Sequence, residues 1–461
     1  MVKPARPAAP AAWSVYREAW RLAWPLILSN LTVPLLGIVD TAVVGHLPDP
    51  HYLGAVALGA LTFNVLYFVF GFLRMGTTGL TAQAYGRADA DELRAGLGRP
   101  LLLGVVIAVL LIAAGPLIVR LAVLLFEPTA RVGAAFANYV GIRLLGAPAG
   151  LANLVLLGWL LGLQNARGPM ALLIVTNAVN IALDLIFVLG LGWAVSGVAA
   201  ATVCAEYAGL ALGLWLARRQ LNGLAGSWRW SSLWQSRAFR RLLAVNRDIM
   251  LRSLSLEAAF LAFTALSSRQ GEVVLAGNAV LLNFLTFAAF GLDGFAHAAE
   301  AMVGRHVGRG DAAGFRAATH VNLVLALALA VALALAFAAG GRPAIELMTG
   351  LAAVRATALT YLPYVVALPL IAVFAFLFDG VFIGATRTVE MRNGMALALG
   401  VFLLAVALLM PPLGNHGLWL AMLLLMGTRG LWLGTCYLQI ERNAGFVSAP
   451  ATARAVRRPR P

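Results

Sequence analysis

Charge is scarce in this chain. Only 11% of its 461 residues are Asp, Glu, Lys or Arg, and 61% are hydrophobic, whereas a soluble domain is about 25% charged. A chain this apolar cannot clothe a water-facing surface, so a soluble globular protein is excluded. Cysteine is nearly missing. Cys204 and Cys436 are the two present; both sit in apolar stretches without metal-ligand spacing, which argues against a disulfide framework or a cysteine metal site. Histidine is limited to six, and neither HExxH nor GxSxG occurs, so an intramembrane enzyme has no visible catalytic constellation. The opening MVKPARPAAPAA has neither the short apolar core nor the small-residue cleavage site of a signal peptide. The first helix is therefore expected to stay.

What the chain has is hydrophobic length. Runs able to cross a bilayer, about 20 residues each, recur from end to end. The expected fold is an all-α polytopic membrane protein of about twelve spans, near 22–45, 52–78, 101–125, 135–161, 169–191, 195–217, 245–268, 273–300, 319–340, 356–384, 394–411 and 416–438. The connection 218–244 is basic and carries Trp228, Trp230 and Trp234, as an interfacial segment joining two halves would. The net charge of +15 invites a nucleic-acid reading, but its placement argues for topology. With the N-terminus inside, 25 Lys and Arg fall on inner segments against 4 on outer loops. Such a positive-inside bias places both termini in the cytoplasm, with no nucleic-acid partner.

The chain also repeats itself. GRAD at 86–89 answers GRGD at 308–311, Gly162 answers Gly384, and Leu53 answers Leu275, each 222 positions on. Each copy holds six spans, an even number, so both cross the membrane in the same direction. Two such bundles, with a cavity at their interface, are a signature of alternating-access transporters. The expected organisation is a cytoplasmic N-terminus (1–21), an N-lobe (22–217), a cytoplasmic linker (218–244), a C-lobe (245–440) and a basic cytoplasmic tail (441–461).

Two acids break the apolar pattern of the N-lobe. Asp40 lies late in the first span. Asp184 lies in TNAVNIALDLIFVL (176–189), where Asn177, Asn180 and Asp184 share one helical face. An ionisable group mid-span costs roughly 2.5–3.5 kcal/mol on insertion scales, which points to one cavity holding both. The C-lobe does not repeat them: Asp40 maps to Ala262, Asn180 to Phe402 and Asp184 to Val406. Two carboxylates in one low-dielectric pocket titrate as a coupled pair, able to load and release H⁺. The same oxygens suit Na⁺, a hard cation, at Asp40, Asn180 and Asp184, and the residues do not choose between the ions. Pro25 and Pro34 kink the first span, as a hinge or as fixed packing bends. In the C-lobe, Asp293, His297 and Glu300 form one polar stripe, and Arg252 and Glu257 stand on the span before it. This set reads as an ion-pair network in which Arg252 neutralises one of the acids, or as a second titratable relay. Arg74 and Arg143 read as counter-charges to the N-lobe acids or as snorkelling residues. Phe284, Phe287, Phe290, Phe374, Phe376 and Phe378 could line a cavity for an amphipathic ligand.

Four long stretches carry a family resemblance: WPLILSNLTVPLLGIVDTAVVGHL (24–47), VNIALDLIFVLGLGWAVSGVAAAT (179–202), GLDGFAHAAEAMVGRHVGRGD (291–311) and FLFDGVFIGATRT (376–388). The chain resembles the multidrug and toxic compound extrusion transporters, and among them the DNA-damage-inducible protein F branch, from about Trp20 to Gln439. The resemblance implies a twelve-helix exporter with two six-helix lobes, trading small drug-like, often cationic or amphipathic compounds for H⁺ or Na⁺ across the cell (inner) membrane, as a monomer without further cofactor. It implies a coupling site at Asp40, Asn180 and Asp184, joined by Tyr139, Thr202 and Asn153. A glutamate on the seventh helix of another branch raises a second cation site at Glu257. The rival transport reading is a lipid-intermediate flippase of the same superfamily. Those proteins tend to have extra helices and a strongly cationic cavity, whereas the N-lobe midplane here is acidic.

Overall fold

The computed structural model describes residues 12–30, 32, 39, 43–45, 49–224, 226–443 and 445–447. Every regular element among them is helical. In chain order they are α1 (Ala12–Asn30), α2 (Pro50–Phe70), α3 (Phe72–Gly86), α4 (Ala90–Ala113), α5 (Gly115–Phe126), α6 (Ala130–Leu144), α7 (Ala147–Gly162), α8 (Arg167–Asp184), a π-helical segment (Leu185–Gly190), α9 (Ala194–Asn222), the short α10 (Trp230–Leu233), α11 (Ser236–Ser268), α12 (Glu272–Arg309), α13 (Ala312–Met348), α14 (Ala352–Gly384), α15 (Thr388–Leu413) and α16 (Asn415–Asn443). Ten helices among the described residues are long and apolar enough to cross a membrane, and eleven if the bent pair α6–α7 counts as one span. The expected first span, 22–45, falls partly outside the described residues. The chain is an all-α polytopic membrane protein.

Several boundaries differ from the hydropathy reading. α1 starts ten residues before position 22, and α11 nine before 245. A helix does not stop where the bilayer does: Arg, Glu and Ala are good helix formers in water, while hydropathy sees only the apolar part. The expected span 135–161 is two helices meeting at 52°. Pro148 sits in the first turn of α7; it has no N–H for the carbonyl of Leu144 four residues back, and its ring would clash with that carbonyl, so α6 does not continue through it. The linker is pinned. Arg94 donates to Leu221 O (3.1 Å) and Leu224 O (2.9 Å), and Arg99 to Ser232 O (2.6 Å).

The repeat is written into the packing. In GRAD and GRGD the third residue takes a positive φ, 54° at Ala88 and 72° at Gly310, which reverses the chain after a helix. The Asp then caps the next helix: Asp89 Oδ1 accepts from Glu92 N at 3.0 Å, and Asp311 Oδ1 from Gly314 N at 2.9 Å. Glycines 222 apart make matching approaches. A methyl group at Gly158 would fall on Arg74 O, and one at Gly380 on Ala296 O, both closer than 3.0 Å. Gly86 packs on Arg305 O and Gly308 on Gln83 O, again too closely for a Cβ. This last pair is reciprocal and joins α3 to α12 across the two halves.

The start of each half crosses over. Ala19, Leu22 and Leu26 of α1 belong to the hydrophobic core built by α11–α16, while Val245 and Ile249 of α11 belong to the core around α3 and α7. The seam is therefore made of α1, α3, α11 and α12. At its arginine-rich end it is closed by polar bonds: Gln83 Nε2 to Gly384 O (3.0 Å), Gln164 Nε2 to Ala301 O (2.8 Å), and the Arg305–Glu18 ion pair.

Candidate functional site

In the N-terminal half, α8 and α9 bring three of the expected residues together. Asp184 and Asn180 are one turn apart on α8 and buried, at 0% and 1% exposure. In the amide orientation that satisfies both sides, Asn180 donates to Asp184 Oδ2 at 3.0 Å and accepts from the Thr202 backbone N–H at 3.2 Å. The Thr202 hydroxyl donates to Val198 O at 2.9 Å. Asp184 is the last α-helical residue before the π-helical segment. The sequence pattern suggests an unbroken helix there; π turns are frequent at functional sites and leave no mark in a 3.6-residue period. Asn177, one turn earlier on α8, donates to Thr32 Oγ1 at 2.8 Å and so ties α8 to the first segment. Asp40 and Pro34 lie outside the described residues. Pro25 lies inside α1, which continues through it to Asn30.

Tyr139 and Asn153 belong to a neighbouring cluster that the sequence reading overlooked. Its centre is Glu206, one turn after Thr202 on α9. Arg143 Nη1 meets Glu206 Oε1 at 3.0 Å, the Tyr67 hydroxyl donates to the same oxygen at 3.1 Å, and Asn153 Nδ2 donates to Glu206 O at 2.8 Å. The Arg143 guanidinium lies 4.6 Å from the Phe63 ring centre, a cation–π contact. Tyr139, one turn before Arg143 on α6, is buried against Phe63. The other carboxylate oxygen of Glu206 faces Gly146 at the α6–α7 bend, where a side chain would strike it. Glu206 is the next charged residue after Asp184, so the cost argument that singled out Asp184 applies to it equally.

The C-terminal network is wired differently from expectation. Arg252 pairs with Asp379, as does Arg429 at 2.6 Å. Glu257 stands five residues from Arg252, about 140° around the helix. It is half-buried and has no hydrogen bond or ion pair among the described residues. Glu300 pairs with Arg74 at 3.1 Å, so this arginine reaches an acid of the opposite half rather than those of its own. Asp293 lines a cavity of about 270 Å³ with Phe290, Phe376 and Arg429, and His297 follows one turn on. Phe284 is buried against Phe337, whereas Phe287 and Phe374 are exposed. Among the described residues no three His, Cys, Asp or Glu side chains converge as a metal site.

Comparison with known proteins agrees with this architecture. The MatE family matches twice, over residues 25–186 and 249–410, two segments starting 224 positions apart, within two residues of the internal repeat. DNA damage-inducible protein F of Escherichia coli K12 is 47% identical over 94% of this chain and 94% of its own length. DETOXIFICATION 44 of Arabidopsis thaliana is 24% identical over 92% of this chain and 84% of its own. In structure, a mutant of the Vibrio cholerae MATE transporter VcmN superposes with a TM-score of 0.86 at 22% identity, covering 95% of this chain and 99% of that one. With the family matched in both halves and a near relative along almost the whole length, this chain belongs to the MatE family, multi-pass membrane transporters of multiple drugs and toxic compounds rather than enzymes.

Proposed function

We propose that the protein is a cation-coupled antiporter that exports organic, cationic or amphipathic compounds across the cytoplasmic (inner) membrane by alternating access, with both termini in the cytoplasm. One observation carries this reading: a fully buried carboxylate, Asp184, held by Asn180, which is itself bonded to Thr202, beside a π-helical turn. A buried acid is expensive and is kept where it binds or moves charge. The Asn177–Thr32 bond supports a cavity shared with Asp40, which follows Thr32 by eight residues on the first segment. The seam, closed at the arginine-rich end, fits a state sealed toward the cytoplasm. A coupling ion would be held by Asp184, Asn180 and Asp40, with Tyr139, Thr202 and Asn153 shaping the wall. The domain limits 22–217 and 245–440 describe the two moving halves, with α1 and α11 as the elements each half lends to the other.

The test is export from proteoliposomes under an imposed pH or Na⁺ gradient. Wild-type protein is expected to respond to one of the two, which names the ion. Asp40→Asn and Asp184→Asn should abolish that response at equal reconstitution. Gradient-driven export at the wild-type rate in either variant would refute the assignment.

A further inference from the structure

The arginine-rich end of the seam holds a pocket that ion coupling does not use. It lies between α3, α4 and the start of α11 and has a volume of about 680 Å³. Leu80, Pro100 and Leu242 give it an apolar floor. Its charged lining is Arg87, Arg99, Arg237 and Arg241 against Asp89 and Glu92, an excess of two positive charges.

Both acids are already engaged. Glu92 is held by Arg99 at 2.7 Å, and Asp89 caps α4. Among the described residues, Arg87, Arg237 and Arg241 have no carboxylate within ion-pair distance. Arg241 spends one nitrogen on neutral acceptors, Gln83 Oε1 at 2.9 Å and Thr386 Oγ1 at 3.0 Å. Burial disfavours the charge of Arg241, and the like charge of Arg87 adds to this against the attraction of Glu92. Three guanidiniums thus line one pocket with no carboxylate paired to any of them, and the lining keeps its excess of two positive charges. A guanidinium fork matches the oxygens of a phosphate group. The apolar floor accepts what hangs from that phosphate. Trp228 and Trp234, 53% and 65% exposed on the adjoining linker, are of the type that settles at a membrane surface. On the proposed topology this is the inner leaflet, where basic pockets between helices take lipid head groups.

We infer that this pocket binds a phosphate-bearing anion through Arg87, Arg237 and Arg241 and thereby tightens the seam. Arg241 is the link between the two roles. It bonds Gln83 of one half and Thr386 of the other, and Gln83 in turn donates to Gly384 O and Thr386 Oγ1. An anion that cancels the repulsion from Arg87 strengthens that bridge and favours the state closed at this end.

Binding is measured as the rise in melting temperature of the purified full chain, with inorganic phosphate in detergent and with nanodiscs of phosphatidylglycerol against phosphatidylcholine. The variant is Arg87→Gln/Arg237→Gln, both exposed and outside the Gln83–Thr386 bridge; Arg131→Gln on the opposite face is the control. The wild type should be stabilised by phosphatidylglycerol. A response to the lipid alone identifies a head group, and an equal response to inorganic phosphate identifies a free anion. The double variant should bind roughly 30-fold more weakly, from about fivefold per arginine. Absence of stabilisation of the wild type by either probe, or a double variant that responds like the wild type, overturns the proposal. The readout needs no transport, so its failure is distinct from failure of ion coupling.

Discussion

Gly86 and Gly308 offer a direct test of how the seam closes. They occupy equivalent positions in the two repeats, and each packs on the other helix, against Arg305 O and Gln83 O. An alanine at either position puts a Cβ closer than 3.0 Å to a backbone carbonyl, which cannot rotate away as a flexible side chain would. α3 and α12 must part, at an overpacking cost of about 1–3 kcal/mol. Alanine also stiffens a helix relative to glycine by roughly 1 kcal/mol. That gain is present whether the seam is open or closed, so only the overpacking shifts the balance between them. The closed population should fall by roughly 5–150-fold relative to the open one. The assay is the distance distribution between spin labels at Ala90→Cys and Ala313→Cys, in a background with Cys204 and Cys436 replaced by serine. Gly86→Ala and Gly308→Ala should lengthen it similarly, because the two contacts are equivalent. The double change should do less than the sum, since helices already parted for one methyl accommodate the second. Gly340→Ala, which has open space around it, should be silent. An unchanged distribution in both seam variants would refute the reasoning.

Other outcomes follow from the buried polar groups. Glu206→Ala strands Arg143 in an apolar interior, and loss of one partner of such a pair costs about 3–5 kcal/mol; the melting temperature should fall clearly, and Arg143→Met with Glu206→Leu should recover much of it. Asn180→Ala should impair gradient-driven export more than Asn177→Ala, because Asn180 touches Asp184 while Asn177 holds Thr32; equal defects would reject this ranking. Asp311→Ala removes a helix cap worth about 1 kcal/mol. Burial works to raise the Asp311 carboxyl, but the Gly314 N–H and the His306 ring outweigh it and hold the group below its ordinary value. A depressed acid contributes stability above its unfolded value and loses it as pH falls through the folded one. The difference in melting temperature between wild type and Asp311→Ala should therefore persist at neutral pH and shrink only below about pH 4; a difference that vanishes at pH 6 would contradict the cap.

The residues by themselves determined the class of protein. Apolar run length, scarce charge and the bias of Lys and Arg depend on composition along the chain, and hydrocarbon imposes them locally. So does the repeat, since GRAD and GRGD encode the same turn and cap. The Asn180–Asp184 face was legible because i, i+4 neighbours meet on any helix. Tertiary structure decided the partners. Arg74 and Arg143 carry the same side chain in similarly apolar surroundings, yet one reaches Glu300 across the seam and the other Glu206 within its own half. A long side chain bonds whatever the facing helix presents, and no spacing along one helix states which helix that is. The same holds for Asp379 between Arg252 and Arg429, and for the arginines gathered around the pocket at the end of the seam. The crossing of α1 and α11 into opposite cores, and the touching of two backbones at Gly86 and Gly308, exist only once both halves have folded.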